Sequence, residues 1–590
     1  MSPLLAACGC FLLYFMGYRL YARHLAQHVF RLSPDRVTPA HTLSDGVDYV
    51  PTQRSVLFGH HYAYITGLAP MLGPAVAVIW GWLPAMLWVV FGAILVGCVH
   101  DFSSLVVSMR AQGQSIGTVA ESVIGRRAKY FFLALIFFGV ALAMGVFVYV
   151  ISVLFQAGAD FDPSNIALAK TSFPSAVLPS GSLMVMAMVM GFLLYKKQFP
   201  ILPLTIVGFV LMLATVWLGT KYPLVGLSRQ RWPSQTMWTW ILLAYAYLAS
   251  VLPVWSLLQA RDFLNSLLLY LGLGLTYAGF FLLGPTFAAP AINPHPVGAP
   301  PLFPFVFIVI ACGAASGFHS LVASGTTAKQ INKETDARFI AYGGMIGESL
   351  LGLLAVLACT AGFDSITSWN TAYADWATVS GLAAKLGAFI HGCTRFIGAL
   401  GIEHDLAAGF ISAVVVSFAL TTLDSATRLL RFNVSEIGES LCVRVLQNRF
   451  VATGLAVGAI CWFAFYKIDG KPAGLALWTL FGTINQMLAG LALLVATLYL
   501  RQRRRHAWFT GVPMAFMLVS TFTALVTNLK SFYDKGQTLL LIVGTLLLIV
   551  GVSIVISGIA AFARNKHYED DVITFSEAKR PATYQEDLSL

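Results

Sequence analysis

Charge is what this sequence has least of. Only 11% of its 590 residues are Asp, Glu, Lys or Arg, against roughly 25% in a soluble domain, which excludes a water-soluble globular protein. Cys-x-x-Cys pairs are missing too. The eight cysteines (8, 10, 98, 312, 359, 393, 442 and 461) fall mostly in apolar stretches, so neither a disulfide framework nor a zinc-knuckle spacing is indicated. The chain reads as free of His-Glu-x-x-His, Gly-x-Ser-x-Gly and paired-carboxylate motifs and of a Walker sequence, which argues against an enzyme and against direct drive by ATP. The first apolar run, Pro3–Tyr18, has no basic stretch before it and no clear small-residue cleavage site after it, and reads as a retained helix.

What is present is apolar sequence, 58% of the chain, in runs of about 20 residues, each able to cross a ~30 Å hydrocarbon layer. Fifteen spans are expected: 3–18, 60–82, 84–107, 130–155, 182–195, 199–219, 237–258, 264–284, 303–325, 340–361, 406–426, 451–466, 474–499, 511–528 and 538–563. The weaker stretch 380–400, with Lys385, His391 and Arg395, reads as a re-entrant or surface helix. With the N-terminus outside, alternation puts 27 of the 37 basic residues on the cytoplasmic side, as the positive-inside bias requires. The expected location is the cytoplasmic (inner) membrane, with the C-terminus inside. The net charge of +11 is scattered between spans and suits anionic lipid rather than nucleic acid. Segment 362–379, with Trp369, Tyr373 and Trp376, has the makeup of an interfacial lid or belt. The polar tail from 564 is expected to be cytoplasmic and disordered from about 569.

Two proline-containing interruptions organise the reading. In Gly67-Leu68-Ala69-Pro70-Met71-Leu72-Gly73-Pro74, Pro70 and Pro74 offer no N–H to the helical ladder and the glycines bend cheaply. The second is Ala249-Ser250-Val251-Leu252-Pro253-Val254-Trp255. Broken helices survive in lipid only where protein or a wet cavity satisfies the freed groups, and secondary transporters place their binding sites at such breaks. Five spans separate the two, in opposite directions. The expected organisation is a single all-α polytopic membrane domain with an inverted five-plus-five repeat and two broken helices. The first repeat would cover 60–219 and the second 237–426, with 3–18 as an extra N-terminal helix and 451–563 as additional helices.

The sequence also resembles a known family. Arg54-Ser55-Val56-Leu57-Phe58-Gly59-His60-His61, Gly67–Pro74, Ala249–Trp255 with Arg261-Asp262, Ala311–Ser320 with Ser324-Gly325-Thr326-Thr327, Thr422–Arg428 and Leu480–Ala489 resemble, in order, blocks of the carbon starvation protein A (CstA) family. The resemblance covers about residues 50 to 500. It implies a LeuT-like fold and import of pyruvate or a related carboxylate by cation symport, in connection with carbon starvation. Peptide or amino-acid uptake is the alternative within the fold, and a membrane-embedded sensor the alternative outside it. This chain is shorter than better-known members and departs from them in its loops and C-terminal region.

The candidate residues follow from the breaks, the resemblance and the insertion penalty of about 2.5–3.5 kcal/mol for a charge in the bilayer. Gly67, Ala69, Pro70, Gly73, Ser250, Pro253, Trp255, Ser316 and His319 are candidates for substrate binding. A carboxylate would take freed N–H groups just after each break, at Gly73–Ala75 and Trp255–Leu257. His60, His61, Ser320, Ser324, Thr327 and Glu348 are candidates for coupling a proton or sodium ion. His60 and His61 either titrate with transport or cap a wet helix end. The hydroxyl-rich Ser316–Thr327 segment, placed third in the second repeat, either binds a cation or joins helices. Arg261, Asp262, Asp424 and Arg428 are candidates for gating or for anchoring the topology; Asp424 and Arg428, four apart, can pair on one helix face. His100-Asp101 either holds a proton or sits at the interface. Asn485 and Gln486 read as glue between helices. No catalytic residue, resident metal or other cofactor is expected, and the oligomeric state is left open.

Overall fold

The computed structural model describes residues 2–157, 172–468, 471–564 and 566–573; the expected disorder of the tail falls largely outside them. The first half contains α1 (Pro3–Val29), α2 (Arg54–Ile65), α3 (Ala69–Trp80), α4 (Trp82–Arg110), α5 (Ile116–Val123), α6 (Arg126–Phe155), α7 (Pro174–Tyr195), α8 (Ile201–Lys221), α9 (Gln235–Val251) and α10 (Leu258–Leu283). The second half contains α11 (Leu302–Val309), α12 (Gly317–Gly325), α13 (Glu334–Ala361), α14 (Leu382–Gly398), α15 (His404–Ser440), α16 (Arg449–Phe465), α17 (Trp478–Gln502), α18 (Trp508–Asp534) and α19 (Thr538–Ala563). Eleven of these are long and apolar enough to cross a membrane, and the pair α2–α3, bent by 47°, makes a twelfth crossing if counted as one span. Helices α9 and α16 are shorter, at 17 residues each. So is α14, at 17 residues.

The first interruption is where the sequence places it, but narrower. Helix α2 ends at Ile65 because Thr66 turns to an extended conformation (φ −82°, ψ 95°). Helix α3 restarts with Pro70 in its first turn, where the missing N–H has no partner to lose. Pro74 sits inside α3 without ending it, so Gly73–Ala75 are helical and their amides are not freed.

The second interruption is elsewhere. Ser250 is helical, and residues 252–257 connect two separate helices instead of splitting one. Pro253 stops α9, and the 26 residues of α10 then begin at Leu258. The second break inside an apolar run lies between α11 and α12, over Ile310–Ser316. Its sequence, Ile-Ala-Cys-Gly-Ala-Ala-Ser, has no proline; Gly313 makes the turn at φ +88°, a conformation that side chains other than glycine adopt at a penalty. Reading 303–325 as one continuous span misses it because small apolar residues keep the hydropathy high.

The two breaks adjoin. A Cβ on Gly73 would lie 2.6 Å from the Val309 carbonyl, and one on Gly313 would lie 3.7 Å from Pro70 Cβ. Around them, α2–α3, α4, α11–α12 and α13 pack on one another, while α6, α9, α15 and α16 form a second mutually packed group. Helix α10 lies against α2, and α17 is buried between α4, α6 and α12. Gly67 sets one contact between the groups: a Cβ there would stand 2.7 Å from Thr422 Oγ1 on α15. Gly67→Ala is therefore expected to lose about 1–3 kcal/mol through overpacking. Thr422→Ala should recover most of that loss in a thermal-unfolding double-mutant cycle.

At one end, Ile366–Ala372 and Trp376–Ser380 cover α3. The Tyr373 hydroxyl donates to the Ala75 carbonyl (2.8 Å), and the Trp376 ring lies 5.4 Å from that of Trp80. The aromatics of 362–379 thus pack onto α3. The opposite end is basic and internally paired: Glu334 binds both Arg36 and Arg110 at 2.7 Å, and Arg505 pairs with Asp571 at 2.6 Å.

Candidate substrate and coupling site

Two buried polar clusters lie near the breaks. The first centres on His319, two residues into α12. Its Nδ1 lies 2.9 Å from Asp101 Oδ2 on α4, and its Nε2 lies 3.2 Å from Glu348 Oε2 on α13. Asp101 also meets His100 Nδ1 at 2.7 Å, while the Gly313 amide, in the second break, donates to Glu348 Oε1 at 3.2 Å. All four side chains are completely buried. Two carboxylates and two imidazoles thus share one enclosed space, where charge must be balanced by protons or a cation.

Glu348 and His319 are therefore brought together with the second break. Asp101 is the residue that sequence reasoning undervalued. The criterion that singled out Glu348, a carboxylate inside an apolar run, applies equally to it; placing His100-Asp101 at the inner interface hid that.

The second cluster joins the helix groups towards the basic end. His60 Nδ1 on α2 lies 2.8 Å from Asp262 Oδ2, and Gln330 Nε2 approaches His60 Nε2 at 3.3 Å. Arg261 pairs with its neighbour Asp262 (Nε–Oδ1 3.0 Å) and with Asp424 on α15, and donates to the Tyr245 hydroxyl on α9 at 2.8 Å. Tyr245 in turn donates to Asp424. The expected Asp424–Arg428 pair is not made. Arg428 instead reaches Asp48 at 3.0 Å and the carbonyls of Ala249 and Leu252, because Arg261 already occupies the Asp424 carboxylate. Tyr245 and Asp48 carry no sequence signal that would have paired them with these arginines.

The remaining candidates divide. Gly73 and Pro70 line the junction of the breaks, Gly67 faces Thr422 on α15, and Ala69 opens α3. Ser316 stands at the start of α12, where the Asn485 amide donates to its hydroxyl (3.1 Å) while Asn485 Oδ1 accepts from the Phe318 amide (2.9 Å). Asn485 is thus the cap of a broken helix, which agrees with its reading as glue. Gln486 likewise holds the Phe307 carbonyl at 2.7 Å. Asn485→Ala should lower unfolding stability by about 0.5–2 kcal/mol, as loss of a helix N-cap does, measurable by thermal denaturation in detergent. His61 Nδ1 meets Thr327 Oγ1 at 2.8 Å. Both His60 and His61 are fully buried, so neither is a wet helix end.

Ser320 and Ser324 do not face the breaks. Ser320 donates to the Gly317 carbonyl (2.7 Å) within its own helix, and Ser324 Oγ accepts from the Ile116 amide (3.1 Å). Ser324 thereby ties α12 to α5. Ser250, Pro253 and Trp255 are also displaced from the junction. Ser250 Oγ lies 3.5 Å from Thr453 Oγ1, and Lys196 Nζ stands 5.3 Å from the Trp255 ring centre. The amides of Trp255–Leu257 therefore do not adjoin the first break. The outer-helix amides left without a hydrogen bond among the described residues at that break are those of Gly67 and Leu68.

A G-x-S-x-G spacing does occur, at Gly113-Gln114-Ser115-Ile116-Gly117, and reading the chain as free of hydrolase motifs overlooks it. Ser115 caps α5 by accepting from Thr118 N (3.2 Å) and donates to Glu436 Oε2 (2.6 Å). It stands on a loop-to-helix turn with no histidine partner among the described residues, and the strand-to-helix nucleophile elbow is not formed there.

The family model for carbon starvation protein CstA matches residues 3–372 and 363–524. The chain belongs to the CstA family. A Campylobacter jejuni relative named peptide transporter CstA is 31% identical over 91% of this chain and 81% of its own length. The Escherichia coli pyruvate/proton symporter BtsT is 32% identical over 88% and 80% respectively. Among solved structures, Mhp1, a nucleobase-cation-symport-1 family transporter, aligns with a TM-score of 0.46 at 12% identity, covering 90% of this chain and 97% of the other. In this CstA-family chain, the blocks carrying the family resemblance include those that hold the first break, the His319 segment and the Asp424–Arg428 helix.

Proposed function

We propose that this protein is a secondary transporter of the cytoplasmic membrane that imports a small carboxylate, pyruvate or a close relative, together with protons. The observation that carries the reading is the enclosed Asp101–His319–Glu348 chain at the second helix break, tied to it through the Gly313 amide. A group of carboxylates and imidazoles buried at a break has the chemistry to take up and release a proton. The bare amides of Gly67 and Leu68 are suited to a substrate carboxylate. The names of the relatives support both pyruvate and peptide.

In this reading α9, the α11–α12 pair and α16 also cross, giving fifteen crossings, with the N-terminus outside and the basic end cytoplasmic. The repeats are redrawn as 54–283, with α7–α8 an inserted hairpin, and 302–502, each opening on a broken helix of the LeuT type. Ser316–Thr327 then belongs to the first helix of the second repeat, and α17 to the repeat instead of to the additions. The Arg261–Asp262–Asp424 cluster latches the two helix groups on the cytoplasmic side.

The test is uptake of labelled pyruvate and of a labelled dipeptide by purified protein in liposomes, under imposed pH and sodium gradients. Pyruvate accumulation driven by an inward proton gradient and abolished by a protonophore is the expected result. Accumulation of the dipeptide alone would replace the substrate, and indifference to both gradients would overturn symport.

A further inference from the structure

The His319 cluster contains a feature that proton traffic does not use. Cys312, in the unwound segment, brings its Sγ within 4.8 Å of a ring nitrogen of His319 and a carboxylate oxygen of Glu348, these three atoms all lying that close to one another. His319 and Glu348 are fully buried, and Cys312 is 7% exposed. His319 Nε2 and Glu348 Oε2 face each other at 3.2 Å, so the thiol, the imidazole and the carboxylate converge on one buried point.

The surroundings match those of a metal ligand set. A ligating histidine usually gives its other ring nitrogen to a carboxylate, which fixes the ring and raises its basicity. His319 Nδ1 lies 2.9 Å from Asp101, and Asp101 is itself held by His100 at 2.7 Å. The ligating carboxylate is held as well, by the Gly313 amide at 3.2 Å. One sulfur, one imidazole nitrogen and one carboxylate oxygen, with a further position left for water or a backbone carbonyl, suit a borderline ion such as Zn²⁺ or Co²⁺. The same donors discriminate against Mg²⁺ and Ca²⁺, which take oxygen ligands.

We propose that Cys312, His319 and Glu348 bind one divalent transition-metal ion of the zinc type in the second helix break, and that the bound ion arrests transport. Binding replaces the Cys312 thiol proton and any proton held on His319 Nε2 or on the Glu348 carboxyl with the metal, each of these protons leaving to solvent. The ion ties the unwound segment and α12 to α13. It also occupies the atoms through which the coupling proton passes; this arrest rests on the transport reading above, whereas the binding does not.

Cobalt titration of the purified, metal-stripped full-length protein tests the binding. A thiolate-to-cobalt charge-transfer band should appear, saturate at one ion per chain and disappear on adding Zn²⁺ but not Mg²⁺. Cys312→Ser should abolish the band, whereas Cys461→Ser should keep it. Glu348→Gln retains the thiol and should weaken cobalt binding by about tenfold or more, in the range seen when a ligand environment is damaged; this second variant serves if Cys312→Ser fails to fold. No band, or a band unchanged in both the Cys312 and Glu348 variants, overturns the site. In liposomes, Zn²⁺ should inhibit uptake over the concentration range in which it displaces cobalt. A band without inhibition overturns the arrest, and absence of any uptake while the band persists overturns the transport reading alone.

Discussion

Glu348→Gln is expected to abolish accumulation driven by a proton gradient while leaving exchange of labelled for unlabelled substrate in place. Glutamine keeps the oxygen that accepts from the Gly313 amide, so the second break retains its anchor on α13. What it loses is the ability to carry a proton or a charge opposite His319. The concentration ratio reached at steady state should fall by about tenfold or more, a factor that corresponds to ~1.4 kcal/mol of driving force. Counterflow needs only binding and the conformational cycle, and it should persist. Comparing the two assays in one liposome preparation separates coupling from folding, because a misfolded variant loses both. Undiminished gradient-driven uptake by Glu348→Gln would remove this residue from the coupling path.

Removal of the Arg261 guanidinium should have the largest effect on stability. Arg261 lies between Asp262 and Asp424, all three essentially buried, and links α10 to α15 and, through Tyr245, to α9. Arg261→Ala leaves two carboxylates facing each other without a cation. Breaking a buried pair from one side costs about 3–5 kcal/mol, a large share of the 5–15 kcal/mol by which a typical domain is stable. Thermal unfolding in detergent should shift down strongly for Arg261→Ala and recover partly in Arg261→Ala/Asp424→Asn, which removes one of the stranded charges. Equal shifts for the single and double variants would mean that Arg261 acts through packing and not through charge. His60 Nδ1, 2.8 Å from Asp262 Oδ2, adds a contact from α2 to the same cluster.

The division between what could be read and what could not follows the range of the interactions. Helix α2–α3 was legible because Gly67 and Pro70 act on their own backbone. Pro253 was legible as a stop for the same reason, but its consequence was not, since a proline cannot say whether it ends a helix or splits one. The break at Ile310–Ser316 depends on α11 and α12 being held from outside, by Asn485 at the cap and by Glu348 at Gly313. Neither partner is near in sequence. Likewise, spacing of four on a helix allowed Asp424 and Arg428 to pair, and a stronger partner from α10 took the carboxylate.

By itself the sequence determined a helical chain built of membrane-length apolar segments, the place of its first break, its membership of the CstA family, and the suspicion attached to Glu348 and His319. These rest on composition, local backbone chemistry and the high penalty for charge in lipid. Only the tertiary structure decided that Asp101, His319 and Glu348 share one enclosure, that the second break lies at Ile310–Ser316, and that Arg261 rather than Arg428 holds Asp424. Those outcomes depend on which helices become neighbours, and pairings between residues tens to hundreds of positions apart are set by packing, not by any local pattern.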